Sequence, residues 1–192
     1  MNEKKKRLVI AMTGATGAIY GVRMLQVLQQ QSDWESHLVI SNAGLLNLKY
    51  ELEMERRELM ALADVTHGIN DIASSIASGS FKTEGIVVAP CSMKTLAAIA
   101  HGFGDNLISR SADVALKERR RVVIMPRETP LNLAHIRNMA SVTEMGGIIF
   151  PPMPAFYNKS NSVTAMVDEG VGRVLDMFAI NVEGLFTPWE GL

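Results

Sequence analysis

Short apolar runs alternate along the chain with segments in which apolar residues recur every three or four positions. Runs of strand length that are apolar throughout are typical of strands buried on both faces of a sheet. The spacing of three and four residues is typical of helices packed against such a sheet. The predicted strands are 8–12, 37–41, 64–67, 85–90, 121–125 and 148–150. The predicted helices are 19–28, 45–53, 92–102, 105–120, 131–145 and 162–180.

Length and charge limit the class of protein. The 192 residues are enough for one well-buried α/β domain and short for two, and the sequence shows no linker or internal repeat. Nineteen basic residues against twenty acidic ones give a net charge of −1, which points to neither nucleic acid nor a membrane surface. The basic cluster 4–7 is interpreted as the solvated flank of the first strand. No apolar run approaches the roughly 20 residues that span a bilayer, and the N-terminus does not resemble a signal peptide.

Cysteine and histidine usage argues against disulfides and metals. The single cysteine, Cys91, excludes an internal disulfide framework and fits a reducing cytoplasm, where we expect the protein to reside. It is interpreted as a small buried hydrophobe rather than a nucleophile. The histidines are scattered, without metal-ligand spacing, so no metal site is predicted. They are His37, His67, His101 and His135.

A glycine turn follows the first predicted strand. Gly14, Gly17 and Gly21 are spaced G-x-x-G-x-x-x-G, which is not the dinucleotide fingerprint G-x-G-x-x-G. The next strand ends in Ser41-Asn42 rather than in the acidic residue that grips a ribose. A strand, turn and helix N-terminus present backbone N–H groups to an anion, so a mononucleotide is favoured over NAD. The alternative is a purely structural turn.

Two further strands carry polar residues at their carboxyl ends, the edge where open α/β sheets bind ligands. Ser92 follows one strand and is a natural helix N-cap. Arg127 and Glu128 follow another and are candidates for phosphate binding and proton transfer. Thr129 as N-cap and Pro130 at the first helical position are expected to open the next helix.

Three charged or hydroxyl-rich segments have two interpretations each. The loop 74–80 is either an ordinary loop or, if cations lie beside it, an oxyanion-binding loop. Arg110 and Lys117 are seven residues apart and lie on one helix face. Asp113 can form an ion pair with either of them, which favours interpreting the face as merely solvated. The run 51–58 is expected to be a solvated helix face or surface loop.

The C-terminal third begins with the proline-rich segment 151–157, which is expected to be neither helix nor central strand and to hold Phe156 and Tyr157 in place. Arg173 lies off the core stripe of the last helix and therefore faces solvent or a neighbour. The tail, about 181–192, carries aromatic residues that are expected to dock on another subunit or on the parent domain. The stripe is Val163, Val167, Val171, Val174 and Phe178.

In combination, six motifs give the chain a close resemblance to the flavin prenyltransferase family, the UbiX/Pad group of the flavodoxin-like flavoproteins. The resemblance runs from Leu8 to about Trp189. It implies an α/β fold, a Rossmann/flavodoxin-like three-layer sandwich with a mainly parallel central sheet. Many members have serine where this chain has Thr16. The motifs are 13–18, 78–80, 90–96, 112–120, 126–128 and 154–157.

The resemblance implies a metal-independent transferase. It would join a dimethylallyl group from dimethylallyl monophosphate to N5 and C6 of reduced FMN and supply prenylated FMN to a UbiD-type decarboxylase. It also implies a dodecamer with active sites shared between subunits. The residues implied to bind FMN are Gly14, Ala15, Thr16, Ser41, Ser92, Met93, Lys94, Thr95 and Arg127. Those implied to bind the prenyl phosphate are Ser78, Gly79, Ser80, Arg110, Lys117, Tyr157 and Arg173.

The resemblance gives catalytic roles to Glu128, Thr16 and Tyr157. Glu128 would be the acid/base, while Tyr157 would either hold the phosphate or donate a proton. Two other functions compete with prenyl transfer. One is an FMN-dependent cysteine decarboxylase, against which the cation set and the absence of a histidine at the glycine turn both argue. The other is a non-catalytic flavin carrier or decarboxylase subunit, which would leave Glu128 and Tyr157 without a task.

Overall fold

A single parallel sheet organises the fold. The computed structural model describes residues 5–189 and 191. All the pairings between the described strands are parallel, in the order β3-β2-β1-β4-β5-β6. This is the strand order of doubly wound Rossmann folds, and the predicted α/β class is confirmed. The strands are Lys6–Met12 (β1), Trp34–Ile40 (β2), Val65–His67 (β3), Gly85–Cys91 (β4), Arg121–Pro126 (β5) and Ile148–Ile149 (β6).

Helices cover both faces of the sheet. The described helices are Ala18–Leu28 (α1), Asn42–Leu52 (α2), Arg56–Met60 (α3), Met93–Ala100 (α4), Leu107–Lys117 (α5), Leu133–Glu144 (α6) and Val163–Asp176 (α7). Short 3-10 turns lie at Ser75–Ala77 and Phe156–Asn158. None of the described helices combines the length and apolarity needed to cross a membrane.

Alternate residues of β1 pack into two separate hydrophobic cores, one on each face of the sheet. Leu8 and Ile10 pack with residues of α1 and α7. Val9 and Ala11 pack on the other face with residues of α4, α5 and α6. Because side chains alternate along a strand, an uninterrupted apolar run supplies both faces at once. The result is the three-layer sandwich that the resemblance implied.

The order of the strands reverses between β1 and β4, because β2 lies on one side of β1 and β4 on the other. The connections from these strands diverge at their carboxyl ends, and the crevice between them is where open α/β sheets bind ligands. The glycine turn after β1 and Ser92 after β4 both lie at this point.

Three predicted helix starts are wrong by two or three residues, and in each case the observed N-cap explains why. α5 begins at Leu107 rather than 105, because the Asn106 side chain caps it. α2 begins at Asn42 rather than near residue 45, because the Ser41 hydroxyl caps it by accepting a hydrogen bond from the Gly44 amide at 3.0 Å. α6 begins at Leu133 rather than 131, so Thr129 and Pro130 do not open it. Its cap is the side chain of Asn132, which accepts from the His135 amide at 3.0 Å.

The last helix is shorter than predicted, ending at Asp176 instead of 180. Val163 does not belong to the core stripe, because it is the first residue of α7 and is 77% exposed. Phe178 is buried but lies beyond the helix. The proline-rich segment contains a 3-10 turn at Phe156–Asn158, which the prediction of no helix had not foreseen.

The described part of the C-terminal tail contacts its own domain. Leu185 is buried in the core beside α1 and α7. The Trp189 ring lies edge-on to Tyr157, with ring centroids 5.4 Å apart, yet 58% of Trp189 is exposed. Packing of the tail 181–192 on a neighbouring subunit stays a prediction. Residues 190 and 192 of that tail, and residue 4 of the basic cluster, lie outside the described residues.

Candidate active site

The glycine turn connects β1 to α1 at the point where the strand order reverses. Gly17 is the N-cap of α1 and adopts the left-handed φ of 101°, which glycine tolerates best. A Cβ on Gly14 would overlap the Cβ of Ala43 in the first turn of α2. The start of the glycine turn therefore lies against the first turn of α2.

Thr13 ties this turn to the end of β4. Its buried hydroxyl donates to the Pro90 carbonyl at 2.9 Å and accepts from the Ser92 amide at 2.7 Å. The Thr13 amide also donates to the Pro90 carbonyl, at 3.1 Å. These three bonds hold the N-terminus of α4 beside the glycine turn. The sequence analysis included Thr13 in a motif without assigning it this bridging function.

The predicted FMN-binding residues of three segments lie together at this edge. Ser41 caps α2, and its amide donates to the Met12 carbonyl at 3.0 Å. Ser92 caps α4 by accepting from the Thr95 amide at 3.3 Å. The residues placed here are Gly14, Ala15, Thr16, Ser41, Ser92, Met93, Lys94 and Thr95. Their contact with a flavin stays a prediction.

A carboxylate of the chain itself occupies the N-terminus of α1. Glu51 Oε2 accepts hydrogen bonds from the Gly17 and Ala18 amides, each at 2.9 Å. The interpretation of 51–58 as merely solvated is therefore wrong for Glu51. The expectation that the first amides of α1 are free to bind a ligand anion is also wrong, because Glu51 accepts hydrogen bonds from two of them. The N-termini of α2 and α4, whose first amides have no acceptor within their own helix, are the remaining anion-binding candidates.

Glu51 had no local signal in the sequence, because it is 34 positions from Gly17. It lies in the last turn of α2, whose start the sequence analysis placed too late. A search for an acidic residue able to reach the amides of the glycine turn would have been the way to find it.

The third segment at this edge follows β5. The Arg127 amide donates to the Cys91 carbonyl at 3.1 Å, which places the residue next to the start of α4. Both Arg127 and Glu128 are exposed, and Glu128 Oε1 accepts from the Thr129 amide at 3.0 Å.

Cys91 is completely buried, and this burial raises the pKa of its thiol far above the usual range. The interpretation of Cys91 as a buried hydrophobe agrees with that environment.

The hydroxyl loop lies against cationic residues, which was the condition for interpreting it as an oxyanion-binding loop. Arg110 Nε donates to the Ala77 carbonyl at 3.3 Å, while Arg110 Nη1 pairs with Asp113 at 2.7 Å. A Cβ on Gly79 would lie 2.9 Å from Lys117 Nζ. The Ser78 and Ser80 hydroxyls are 2.9 Å apart. Cations and hydroxyls thus share one surface along α5.

Arg120 also holds this loop, and the sequence analysis missed its role. Its guanidinium donates to the Gly79 carbonyl and, at 2.8 Å, to the Phe81 carbonyl. Since the side chain is only 11% exposed, it fixes the backbone of the loop and is not free to meet a ligand. The two cations predicted to bind the phosphate, Arg110 and Lys117, are 39% and 48% exposed and pair with Asp113 and Glu118 respectively.

The predicted residues fall into three groups within one chain. Lys117 ends α5 and Arg120 immediately precedes β5, so the hydroxyl loop beside them lies near the amino ends of the strands. The glycine turn lies at the opposite edge of the sheet. Tyr157 and Arg173 line a separate cavity of about 330 Å³ between the proline-rich segment and α7. Within one chain, therefore, the residues predicted to bind the prenyl phosphate do not lie at the edge of the sheet that holds the predicted FMN-binding residues.

Arg173 is exposed, as its position off the core stripe predicted. Its Nη1 pairs with Asp176 at 2.7 Å, and its guanidinium lies 5.8 Å from the centroid of the Phe186 ring.

Two of the four histidines are not scattered, because His37 Nδ1 lies 2.9 Å from His67 Nε2. Within the described residues there is no group of three or more histidine, cysteine or acidic residues able to hold a metal.

The sequence and the fold of the chain are both similar to those of known proteins. The flavoprotein family model matches residues 1–180. Flavin prenyltransferase UbiX of Escherichia coli K12 is 52% identical over 187 residues, covering 97% of this chain and 99% of the relative. A crystal structure of AnUbiX in complex with FMN and dimethylallyl pyrophosphate has 51% identity and a TM-score of 0.95, covering 98% of this chain and 100% of that one.

A second solved structure is a dodecameric FMN-dependent UbiX-like decarboxylase from Escherichia coli O157:H7. It has 45% identity and a TM-score of 0.93, covering 96% of this chain and 100% of the other. Relatives with these identities span nearly the whole chain, and so does the family model. The chain belongs to the flavoprotein family, within its flavin prenyltransferase group.

Proposed function

We propose that the protein is a flavin prenyltransferase that joins the dimethylallyl group of dimethylallyl monophosphate to N5 and C6 of reduced FMN. The observation that carries the proposal is that one chain has two separate regions with the donors and cations to bind anions. One is the edge of the sheet at the glycine turn, and the other is the hydroxyl loop with Arg110 and Lys117. A transferase that takes a mononucleotide and a prenyl phosphate needs both, whereas a simple flavin carrier needs only the first.

The residues at the glycine turn fit FMN by the chemistry of their donors. The first amides of α2 and α4 and the exposed Arg127 suit a phosphate, and Ser41, Ser92 and Thr95 add hydroxyls. Reduced FMN supplies an electron-rich ring as the prenyl acceptor. The Thr16 hydroxyl is exposed at the turn, where its β-branched side chain restricts the directions of its hydrogen bond to the flavin.

The second region suits the leaving phosphate. Cleavage of an allylic C–O bond transfers negative charge to the phosphate, so fixed cations and hydroxyls lower the barrier. Arg110, Lys117 and the Ser78–Ser80 loop would bind that group. Arg173 and Tyr157 would come from the separate cavity near α7. The exposed Glu128 carboxyl is the acid/base group, and Tyr157 either holds the phosphate or donates a proton.

The three groups of residues are completed, in this proposal, by neighbouring subunits of a dodecamer. Their separation within one chain supports sharing, and a 45% identical structure is described as dodecameric. The exposed rings of Phe156, Tyr157 and Trp189 are surfaces for such contacts. The tail would then pack on a neighbour as well as on its own domain. We further propose a cytoplasmic location and delivery of the product to a UbiD-type decarboxylase.

The test is anaerobic incubation with reduced FMN and dimethylallyl monophosphate, followed by mass spectrometry of the extracted flavin. We expect a mass gain of one C5H8 unit that is absent without the protein. A parallel reaction with the diphosphate measures the preference between donors. Unmodified FMN bound tightly to the protein would overturn the transferase proposal and favour a carrier or a decarboxylase. Failure to bind FMN would remove the basis for all three.

A further inference from the structure

A chain of polar side chains runs through the edge of the sheet that carries β2 and β3. His37, only 2% exposed, has Nε2 2.9 Å from Glu35 Oε1 and Nδ1 2.9 Å from His67 Nε2. His67 Nδ1 in turn lies 2.7 Å from the hydroxyl of Ser74, which is 9% exposed. The two imidazoles lie edge to edge and nearly coplanar, with centroids 5.2 Å apart and planes inclined by 11°. None of these residues belongs to the proposed FMN or phosphate contacts.

The chemistry of the groups sets the direction of every hydrogen bond in this chain. Burial opposes ionisation of Glu35, but hydrogen bonds from Arg7 and His37 outweigh it and lower the pKa of Glu35. An ionised Glu35 accepts, so His37 Nε2 carries a proton and neutral His37 has a bare Nδ1. His67 Nε2–H then donates to that nitrogen. The bare His67 Nδ1 accepts from the Ser74 hydroxyl, and all the bonds are satisfied with both histidines neutral.

The same histidine pair contacts both ends of the loop that carries Ser78–Ser80. At one end His67 binds Ser74. At the other end the Phe81 ring packs edge-on against His37, with centroids 5.5 Å apart, and lies 4.3 Å beneath the Arg7 guanidinium. The segment between these anchors contains a single 3-10 turn and the hydroxyls of the loop.

We propose that His37 and His67 are positioning residues that hold the Ser78–Ser80 loop in the conformation that binds the prenyl phosphate. The proposal rests on the proposed function of that loop. Without the bond from Ser74 to His67 and the packing of Phe81 on His37, the loop keeps its contacts with Arg110 on α5 and with Arg120 before β5. It loses its attachment to β2 and β3. Its hydroxyls then no longer converge on one anion.

Acid is expected to loosen this attachment. Burial lowers the pKa of both histidines. The first proton, placed on the less buried His67, turns its Nδ1 into a donor and reverses the bond to Ser74. A second, on His37, abolishes the bond between the imidazoles. The charged groups that act on the pair are Arg7 on β1, Glu35 on β2, Asp64 before β3 and Asp71 in the following loop.

The sign of the pH dependence follows from these lowered pKa values. A group with a lower pKa in the folded state stabilises that state above its unfolded pKa, about 6.5 for histidine, and loses the contribution as the pH falls below it. The hydrogen-bonded arrangement of the histidine pair, which supports the loop, is therefore expected to be most stable at neutral pH and to weaken progressively below about pH 6.5.

The variants His67→Phe and Ser74→Ala test the proposal. His67→Phe keeps an aromatic ring beside His37 but removes two hydrogen bonds, and Ser74→Ala removes one. We expect KM for dimethylallyl monophosphate to rise about tenfold, the effect of roughly 1.4 kcal/mol, with kcat and FMN affinity within about twofold. The control is Ser36→Ala. Ser36 lies on β2 next to His37, and its hydroxyl bonds to Asp64 at 2.9 Å but does not contact the loop. Equal KM changes in control and test variants would overturn the proposal.

Two further measurements separate this proposal from the proposed function. The first is KM between pH 5 and 7.5, where the substrate's own ionisation affects all variants equally and only His67→Phe should lose the additional acid dependence. The second is hydrogen exchange of the Ala77, Ser78 and Phe81 amides, which bond within the loop and need no turnover. We expect faster exchange in His67→Phe and unchanged exchange in Ser36→Ala. Unchanged exchange in His67→Phe overturns the positioning role, whereas faster exchange in a protein that transfers no prenyl group overturns only the proposed function.

Discussion

Glu51 Oε2 accepts a hydrogen bond from the Gly17 amide at 2.9 Å, at the helix end where Rossmann-like proteins commonly hold a phosphate. The same oxygen is 2.9 Å from the Ala18 amide. The chain thus supplies its own anion to the positive end of α1, and it does so from the last turn of α2. The contact ties the start of α1 to the end of α2 and places a carboxylate next to the exposed Thr16.

Replacement of Glu51 tests how much this contact stabilises the domain. Glu51→Ala leaves two half-buried amides without their acceptor, so we expect the free energy of unfolding to fall by about 1–3 kcal/mol. Glu51→Gln keeps an oxygen acceptor and loses the charge, for which we expect about 0.3–1 kcal/mol. Urea denaturation measures both. If the alanine variant proves as stable as the parent protein, the amides do not depend on Glu51.

Glu128 is the residue to which the proposed function gives the proton transfer. Glu128→Gln keeps the size of the side chain and its hydrogen bond to the Thr129 amide but cannot exchange a proton. General acid–base groups contribute about 10²–10⁴ in rate, so we expect turnover to fall by well over tenfold while FMN binding is retained. Glu144→Gln, an exposed carboxylate at the end of α6, is the matched control. Undiminished turnover in Glu128→Gln would rule out the acid/base assignment.

The sheet was predictable because its information is local. A run such as 8–12, apolar at every position, is compatible with a strand covered on both faces. Once the strands are parallel, their carboxyl ends share an edge, so the proximity of Ser41, Ser92 and Arg127 follows from chain order alone. The start of α6 was harder, because Thr129 and Asn132 are both good N-caps and only the packing of the helix chooses between them.

The missed features are pairs of residues that are distant in sequence. Glu51 reaches Gly17 because α2 begins at Asn42 and is long enough for its last turn, which carries Glu51, to lie beside the start of α1. His37 and His67 meet because β2 and β3 pair with His37 opposite Val65 and Val39 opposite His67. Neither pairing leaves a periodic or spacing signal within either segment, so sequence patterns alone could not identify the contacts.

Thr13 offers a prediction that links the fold to the site. Thr13→Val is close in shape but removes the hydroxyl that bridges Pro90 and Ser92, leaving the half-buried Ser92 amide without its acceptor. The Pro90 carbonyl still accepts from the Thr13 amide, so we expect the free energy of unfolding to fall by about 1–3 kcal/mol. FMN affinity should fall as well, because the N-terminus of α4 is no longer held beside the glycine turn. Thr13→Ser, which keeps the hydroxyl, should retain most of the FMN affinity, and equilibrium titration compares the two.

Cys91 provides a probe of how far the sheet opens. It is the single cysteine of the chain, lies on β4 between β1 and β5, and has no exposed surface. Because burial raises the pKa of its thiol, the reactive thiolate is suppressed even at mildly alkaline pH. We expect iodoacetamide at pH 8 to label the native protein only as fast as β4 becomes exposed by unfolding, and to label urea-unfolded protein at once. Rapid labelling of the native protein would mean that β4 opens locally, and the bonds from Thr13 to Pro90 and Ser92 would then not lock that edge of the sheet.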